Sequence, residues 1–250
     1  LAFMSANLLS AARTGAVPGV AARHLARKDS EVVTVLGCGQ INRSCLRSIL
    51  TQLPNAKKIM CYDIFEEASA KFLSWAKEEL KIDGEATTDL EAAVKAGDVI
   101  TVAASRLKPL YIKDEWLKEG VTLLITGPMQ TDDSFWMSTN LVYDNVGLHQ
   151  AYVQDAIESG DKAEYYRGVI GGPIYTLIDE GKMPKLEDST SIGDVILGKK
   201  PGRTSDKDRV SFVACGMATF DVGLGYDLYQ TALKEGIGQK LVLWDDPYQK

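Results

Sequence analysis

Residues 31–42 read EVVTVLGCGQIN, and this stretch decides the fold. Val32, Val33, Thr34 and Val35 are β-branched and lead into Leu36, the make-up of a short buried strand. Gly37 and Gly39 follow at once, and from there to about Leu53 the pattern is helical. A strand, a glycine turn and a helix in that order is the context a dinucleotide fingerprint requires. Gly37 permits the tight turn, and Gly39 lets the backbone approach a pyrophosphate. Gln40 and Ile41 open the helix, whose N-terminus offers free N–H groups and a favourable dipole. Asn42 stands where the third glycine would be, a position that mainly serves helix–strand packing. Taken alone, G-x-G-x-x-N is equally an ordinary strand–helix turn.

Asp63 adds weight to the cofactor reading. It ends a second strand, KKIMCYD at 57–63, and lies 21 positions beyond Asn42. An acid there can accept hydrogen bonds from the adenosine ribose hydroxyls and repels a 2′-phosphate, which favours NAD over NADP. Its competing roles are a solvated strand-end acid or an N-cap for the next helix.

Outward from this unit, apolar runs of strand length alternate with amphipathic stretches. EEASAKFLSWAKEEL (66–80) is predicted as a helix with Ala70, Leu73, Ala76, Lys77 and Leu80 on one face. Asp89 reads as the N-cap of LEAAVKA, and Gly97 as its stop. DVITVAAS (98–105), VTLLITG (121–127), NLVYDN (140–145) and RVSFVACG (209–216) read as further strands. Near-continuous apolar strands separated by helices predict an α/β fold with a doubly wound, Rossmann-type parallel sheet. Helices are expected over 149–159, over 165–180 with a break at GGP, and over 217–236. KKPGR (199–203) reads as a short solvated loop.

The net charge of -6 disfavours non-specific nucleic-acid binding, and no apolar run approaches a membrane span. Cys38, Cys45, Cys61 and Cys215 form no C-x-x-C pair, and the two histidines are His24 and His149. No metal site is expected from so sparse a set, and the thiols suit a reduced, cytoplasmic protein. His149, following a glycine at a helix start, reads as structural. LAFMSANLLSAARTGA at the start lacks a signal peptide's basic lead and reads as a buried segment of a chain whose N-terminal part is missing.

Three stretches resemble the ornithine cyclodeaminase/mu-crystallin family. They are SAARTGAVPGVAARHLA (10–26), DVITVAASRLKPLYIKDEWLKEGVTLL (98–124), and IGDVILGKKPGR with VACGMATFDVGLGYDLYQTALKEGIG (192–203 and 213–238). The wording GCGQIN…CYDIFEEASAKFLSW resembles the N-(2-amino-2-carboxyethyl)-glutamate dehydrogenase branch. The resemblance implies three parts: residues 1–28 in a partial substrate and dimerisation domain, 29–215 as the NAD-binding domain, and 216–250 as a helix returning to the first part. It also implies a homodimer acting on a small amino-acid-type molecule.

The resemblance assigns Arg13 to the substrate carboxylate, which a guanidinium can grip through two parallel hydrogen bonds. It places Ser105 on the nicotinamide side, and Met217, with Ala218 and Asp221, beside the same site. Phe220 stands where the family has a glutamate. The family's aspartate and P-G-K run are absent from GPMQTDD (127–133), so Asp132 or Asp133 would have to move the proton from a shifted position. The implied reaction is NAD-dependent oxidoreduction or deamination at an amino-acid C–N bond through an imine. Ornithine cyclodeamination and a non-catalytic, mu-crystallin-like dinucleotide-binding role are the alternatives.

Overall fold

The computed structural model describes residues 2–104 and 108–242. In chain order its first half runs α1 (Asn7–Leu25), β1 (Val32–Leu36), α2 (Gln40–Gln52), β2 (Lys58–Tyr62), α3 (Glu66–Trp75), β3 (Asp83–Thr87), α4 (Leu90–Ala96), β4 (Val99–Val102), β5 (Leu110–Ile112) and β6 (Thr122–Ile125). The second half runs β7 (Met129–Thr131), α5 (Asp133–Ser138), β8 (Asn140–Tyr143), α6 (Val146–Glu158), α7 (Lys162–Arg167), α8 (Gly172–Asp179), β9 (Thr190–Ser191), α9 (Ile192–Ile196), β10 (Val210–Val213) and α10 (Ala218–Glu235).

Eight strands form one sheet in the order β3-β2-β1-β4-β6-β10-β8-β9, with every pair parallel. The chain winds outward from β1 through β2 to β3, then returns to place β4 on the other side of β1. That reversal makes a topological switch point, and a crevice opens beyond the strand ends there. β5 and β7 pair separately, also in parallel.

Both faces of the sheet are covered, which explains why its strands are apolar throughout. Val33 and Val35 pack with Leu46, Ile49, Ala21 and Leu25 on one face. Leu36, Ile100, Val102 and Tyr143 pack with Val94 and Tyr175 on the other. α1 lies against α2 at Gly15 and Gly19. A Cβ at Gly15 would fall 2.4 Å from Ser44, and one at Gly19 would fall 2.7 Å from Ser48. Glycine is required at both places because the two helices approach backbone to side chain. The helix carrying Arg13 is therefore fixed directly on the helix that follows the glycine turn.

Four expectations change. The helix at 66–75 buries Ser69 and Phe72, continued by Ala76, while Ala70 and Lys77 are exposed. Phe72, the largest buried side chain of this helix, sets the face, and the last turn, Ala76–Leu80, loosens into a π-helix. β3 (DGEAT) was not expected, since a polar edge strand carries no apolar signal. Arg203 does not lie in a solvated loop. Its guanidinium donates to the Leu25, Asp208 and Gly120 carbonyls and to Thr122, tying its own loop to the end of α1 and the start of β6. The opening residues are not buried in this chain: Phe3 is fully exposed and Leu8 is 72% exposed. Among the described residues no helix is long and apolar enough to cross a membrane.

Candidate active site

The turns that leave β1, β2, β4, β6 and β10 meet at one edge of the sheet. Gly37 adopts φ +93, and a Cβ there would fall 2.9 Å from the Ala104 backbone, so the β1 turn can close on β4 only with glycine. Gly127, after β6, likewise presses on Ala103. Between these turns lie two adjacent cavities that share part of their lining. One, of about 400 Å³, is lined by Gly37, Gly39, Gln40, Asp63 and Phe65. The other, of about 380 Å³, is lined by Arg13, Thr126, Pro128, Cys215 and Gly216. Ile41, Ala103 and Ala104 line both.

Gly39 leaves open space above the start of α2. Its backbone is extended, at φ -90, and a Cβ there would meet no atom within 4 Å. Nothing inside the protein therefore demands glycine at 39; only an occupant of the cavity would. α2 begins here with no acidic residue in its first turn, so its dipole and first N–H groups face the cavity unopposed. These features fit the pyrophosphate of a dinucleotide.

Asp63 sits at the cavity rim as expected, with a further duty. Its Oδ2 accepts from the Cys38 N–H at 2.8 Å and its Oδ1 from the Phe65 N–H at 3.2 Å. It thus ties the end of β2 to the glycine turn. The Cys38 thiol, hydrogen-bonded toward Cys61 and shielded from solvent, is pushed above the ordinary thiol range and stays neutral.

Asn42 is fully buried and does more than tolerate the missing glycine. Its Nδ2 donates to the Leu36 and Gly37 carbonyls at 2.9 and 2.7 Å, and its Oδ1 accepts from Thr101 at 2.9 Å. A side-chain clamp thus joins α2, the turn and β4, where a glycine would give only close packing.

Arg13 projects from α1 into the second cavity. Its Nε donates to Asp221 Oδ1 of α10 at 2.8 Å. Its Nη1 lies over Gly216, which adopts φ +85 and whose Cβ would come within 2.8 Å of that atom. With Nε engaged, the two terminal nitrogens remain to face a planar anion. Asp221 therefore aims the guanidinium, a role that no local sequence signal announces because the partners are 208 residues apart.

Asp132 is not brought to this cleft. Its carboxylate accepts from the Tyr111 hydroxyl and from the Asp114 N–H, and it lines a separate cleft with Arg209. These bonds hold its carboxyl below the usual carboxylate range. The β7 pairing carries residues 129–131 away from the cleft, so a proton-transfer role for Asp132 loses its geometric basis. Ser105 lies outside the described residues. Met217 is half-buried and N-caps α10, while Cys215 and Gly216, just before it, form the cavity wall.

His149 is partnered on both ring nitrogens. It is fully buried, with Nε2 2.9 Å from Asp144 Oδ1 and Nδ1 2.6 Å from the Tyr175 hydroxyl. Asp144, at the end of β8, also accepts from the Asn145 N–H on Oδ1 and from the Cys215 and Gly216 N–H groups on Oδ2, at 2.8, 2.9 and 3.0 Å. Burial alone would raise its carboxyl. The His149 hydrogen bond and charge, with the Gly216 and Asn145 donors, outweigh that and hold it below the usual range. Burial and the nearby Asp144 push the Cys215 thiol up to about 12, so it faces the cavity protonated. An acid at the end of a parallel strand was the one sequence signal that could have found this group.

Compared as a whole, residues 1–236 match the model of the ornithine cyclodeaminase/mu-crystallin family. The chain belongs to that family. Among its relatives, the N-((2S)-2-amino-2-carboxyethyl)-L-glutamate dehydrogenase of Staphylococcus aureus is 30% identical over 245 residues, spanning 98% of this chain and 68% of the relative. An archaeal alanine dehydrogenase dimer, solved with bound NAD, superposes with a TM-score of 0.75 at 27% identity, over 96% of this chain and 69% of that one. The Delta(1)-pyrroline-2-carboxylate reductase of Thermococcus litoralis, solved with NADH and L-proline, gives a TM-score of 0.79 at 24% identity, over 96% and 70%. The last likeness speaks for the fold alone.

Proposed function

We infer that this family member binds NAD along the two adjacent cavities and oxidises or reduces an amino-acid C–N bond. The observation that carries this reading is the lining that the two cavities share. Gly39 and Asp63 stand at one end and Arg13 at the other, with Ile41, Ala103 and Ala104 forming the floor between them. The N-terminus of α2 with Gly39 would hold a dinucleotide's pyrophosphate and Asp63 a ribose, leaving the cavity of Arg13 for the substrate end. When bound, NAD supplies a hydride acceptor or, once reduced, a donor. Arg13 grips the substrate carboxylate, and the Gly216 turn leaves room for it. Gly127, Pro128 and Ala103 wall the reacting carbon from bulk water. The S. aureus relative by its name, and the alanine dehydrogenase by its name and bound NAD, support the same chemistry.

The working unit we infer is a homodimer. α10 and the N-terminal stretch leave Phe3, Leu8, Val222, Tyr226 and Leu233 exposed, and the alanine dehydrogenase neighbour is a dimer. We assign α1 and α10, which pack together, to the substrate and dimerisation part (1–28 and 216–250), and 29–215 to the cofactor domain. Four free thiols support a reducing, cytoplasmic setting.

The test is product analysis with NAD and a panel of L-amino acids and N-carboxyalkyl amino acids. A dehydrogenase accumulates NADH together with a 2-oxo acid and an amine or ammonia, which is the expected result. Ammonia without net NADH identifies a cyclodeaminase. Neither product, with NAD bound, makes the protein a dinucleotide-binding scaffold and contradicts the reading.

A further inference from the structure

The Asp144–His149–Tyr175 group lies behind the cleft and plays no part in the reading so far. We propose that these three are positioning residues for the amino-acid end of the cleft, acting through the Cys215–Gly216 backbone on Arg13. The proposal rests on Arg13 as the carboxylate anchor.

The arrangement is directional. Asp144 Oδ1 faces the interior, where it meets His149 Nε2 and its neighbour's N–H, while Oδ2 receives the two N–H groups of the cavity wall. The buried end is immobilised. The His149 ring packs edge-on against Tyr143, with centroids 4.4 Å apart, and against Tyr175 at 5.8 Å. The Tyr175 hydroxyl holds the remaining ring nitrogen. Burying a carboxylate and an imidazole this deeply costs desolvation, and apolar residues of equal volume often serve stability as well. What an apolar core cannot do is hold two backbone N–H groups at a cavity wall.

Those two N–H groups control both supports of Arg13. Gly216 lies beside Nη1 in a left-handed conformation, φ +85, that strains any residue with a side chain. α10 begins two residues later and carries Asp221, which holds Nε. Rotation of the 215–216 peptide would therefore shift the backbone beside the guanidinium and its carboxylate partner together. Hydrogen bonds link Tyr175, His149, Asp144 and Gly216 in turn, and Arg13, whose Nη1 lies beside Gly216, is bonded to Asp221.

The test compares wild type with His149→Ala, with His149→Gln, whose amide can still donate to Asp144, and with Asp144→Asn. Hydrogen exchange of the Gly216 amide and of the Arg13 Nε–H is followed by NMR, and NADH affinity by fluorescence. Pyruvate, as the carboxylate probe, is then titrated into each NADH complex. In His149→Ala and Asp144→Asn both protons should exchange at least about tenfold faster and pyruvate should bind about tenfold more weakly, the worth of one buried hydrogen bond. NADH affinity should stay within about twofold, because the glycine turn shares no partner with the network. His149→Gln should return toward wild type. Unchanged exchange in His149→Ala, or a glutamine variant no better than alanine, overturns the proposal. Pyruvate binding that ignores Arg13→Ala while the exchange rates change as expected overturns the anchor and leaves the positioning role standing.

Discussion

Gly39→Ala leaves the fold intact and weakens NAD binding about a hundredfold, the cost of roughly one charge-assisted hydrogen bond. Two opposing terms set the stability side. Alanine is a poorer N-cap than glycine by up to about 1 kcal/mol, and a more restricted unfolded chain returns about 0.4–1 kcal/mol. Residue 39 has φ -90, so alanine adopts the native backbone without strain, and its methyl meets no protein atom within 4 Å. The melting temperature should therefore move by no more than about 2–4 °C. The binding side has no such offset. The methyl points into the space where the pyrophosphate meets the first N–H groups of α2, and a phosphate pushed outward loses bonds that depend on distance and alignment. Calorimetric NAD titration beside a thermal melt reads both effects. A variant that binds NAD as well as wild type would remove the pyrophosphate from this end of the cleft.

Arg13→Ala has the second large effect and the opposite selectivity. The Arg13 side chain is 20% exposed and has its Nε held by Asp221, so its terminal nitrogens are aimed before substrate arrives. Two charge-assisted bonds at about 1.5–3 kcal/mol each predict a fall in kcat/KM for the amino acid of about a hundredfold to ten-thousandfold. NAD affinity should change far less than the substrate's, since Arg13 stands away from the glycine turn and Asp63, where the pyrophosphate and ribose would be held. Arg13→Lys should recover little, because an ammonium keeps the charge but not the planar fork. Steady-state kinetics with NAD saturating checks this. Equal losses of cofactor and substrate binding would mean that Arg13 supports the fold rather than the carboxylate.

The difference between what the sequence shows and what it hides is one of range. The β1–glycine–α2 unit, the parallel strands and Asp63 are legible because each is encoded in a contiguous run with its own periodicity or turn residue. Arg13 is legible through the motif around it. The Arg13–Asp221 pair and the Asp144–Cys215–Gly216 contacts are not, because they join elements that only the completed sheet brings together. Asn42 reads as a weakened motif until Thr101 and the Gly37 carbonyl are seen to need it. Asp132 misleads for the converse reason. It sits at a plausible distance along the chain from the β6 turn, but its bonds to Tyr111 and Asp114 fix it in another cleft.

Asp63 also bears on how the central claim is best tested. It clamps the Cys38 N–H as well as facing the ribose site, so removing it would disturb the turn and confuse the reading. The cleaner measurement keeps the protein unchanged and varies the cofactor. Wild type is titrated with NAD and with NADP under identical conditions. One NAD per chain, bound at least about tenfold more tightly than NADP, is the predicted result, since a 2′-phosphate would meet the Asp63 carboxylate. Binding of neither, or NADP equal to or tighter than NAD, would contradict the account.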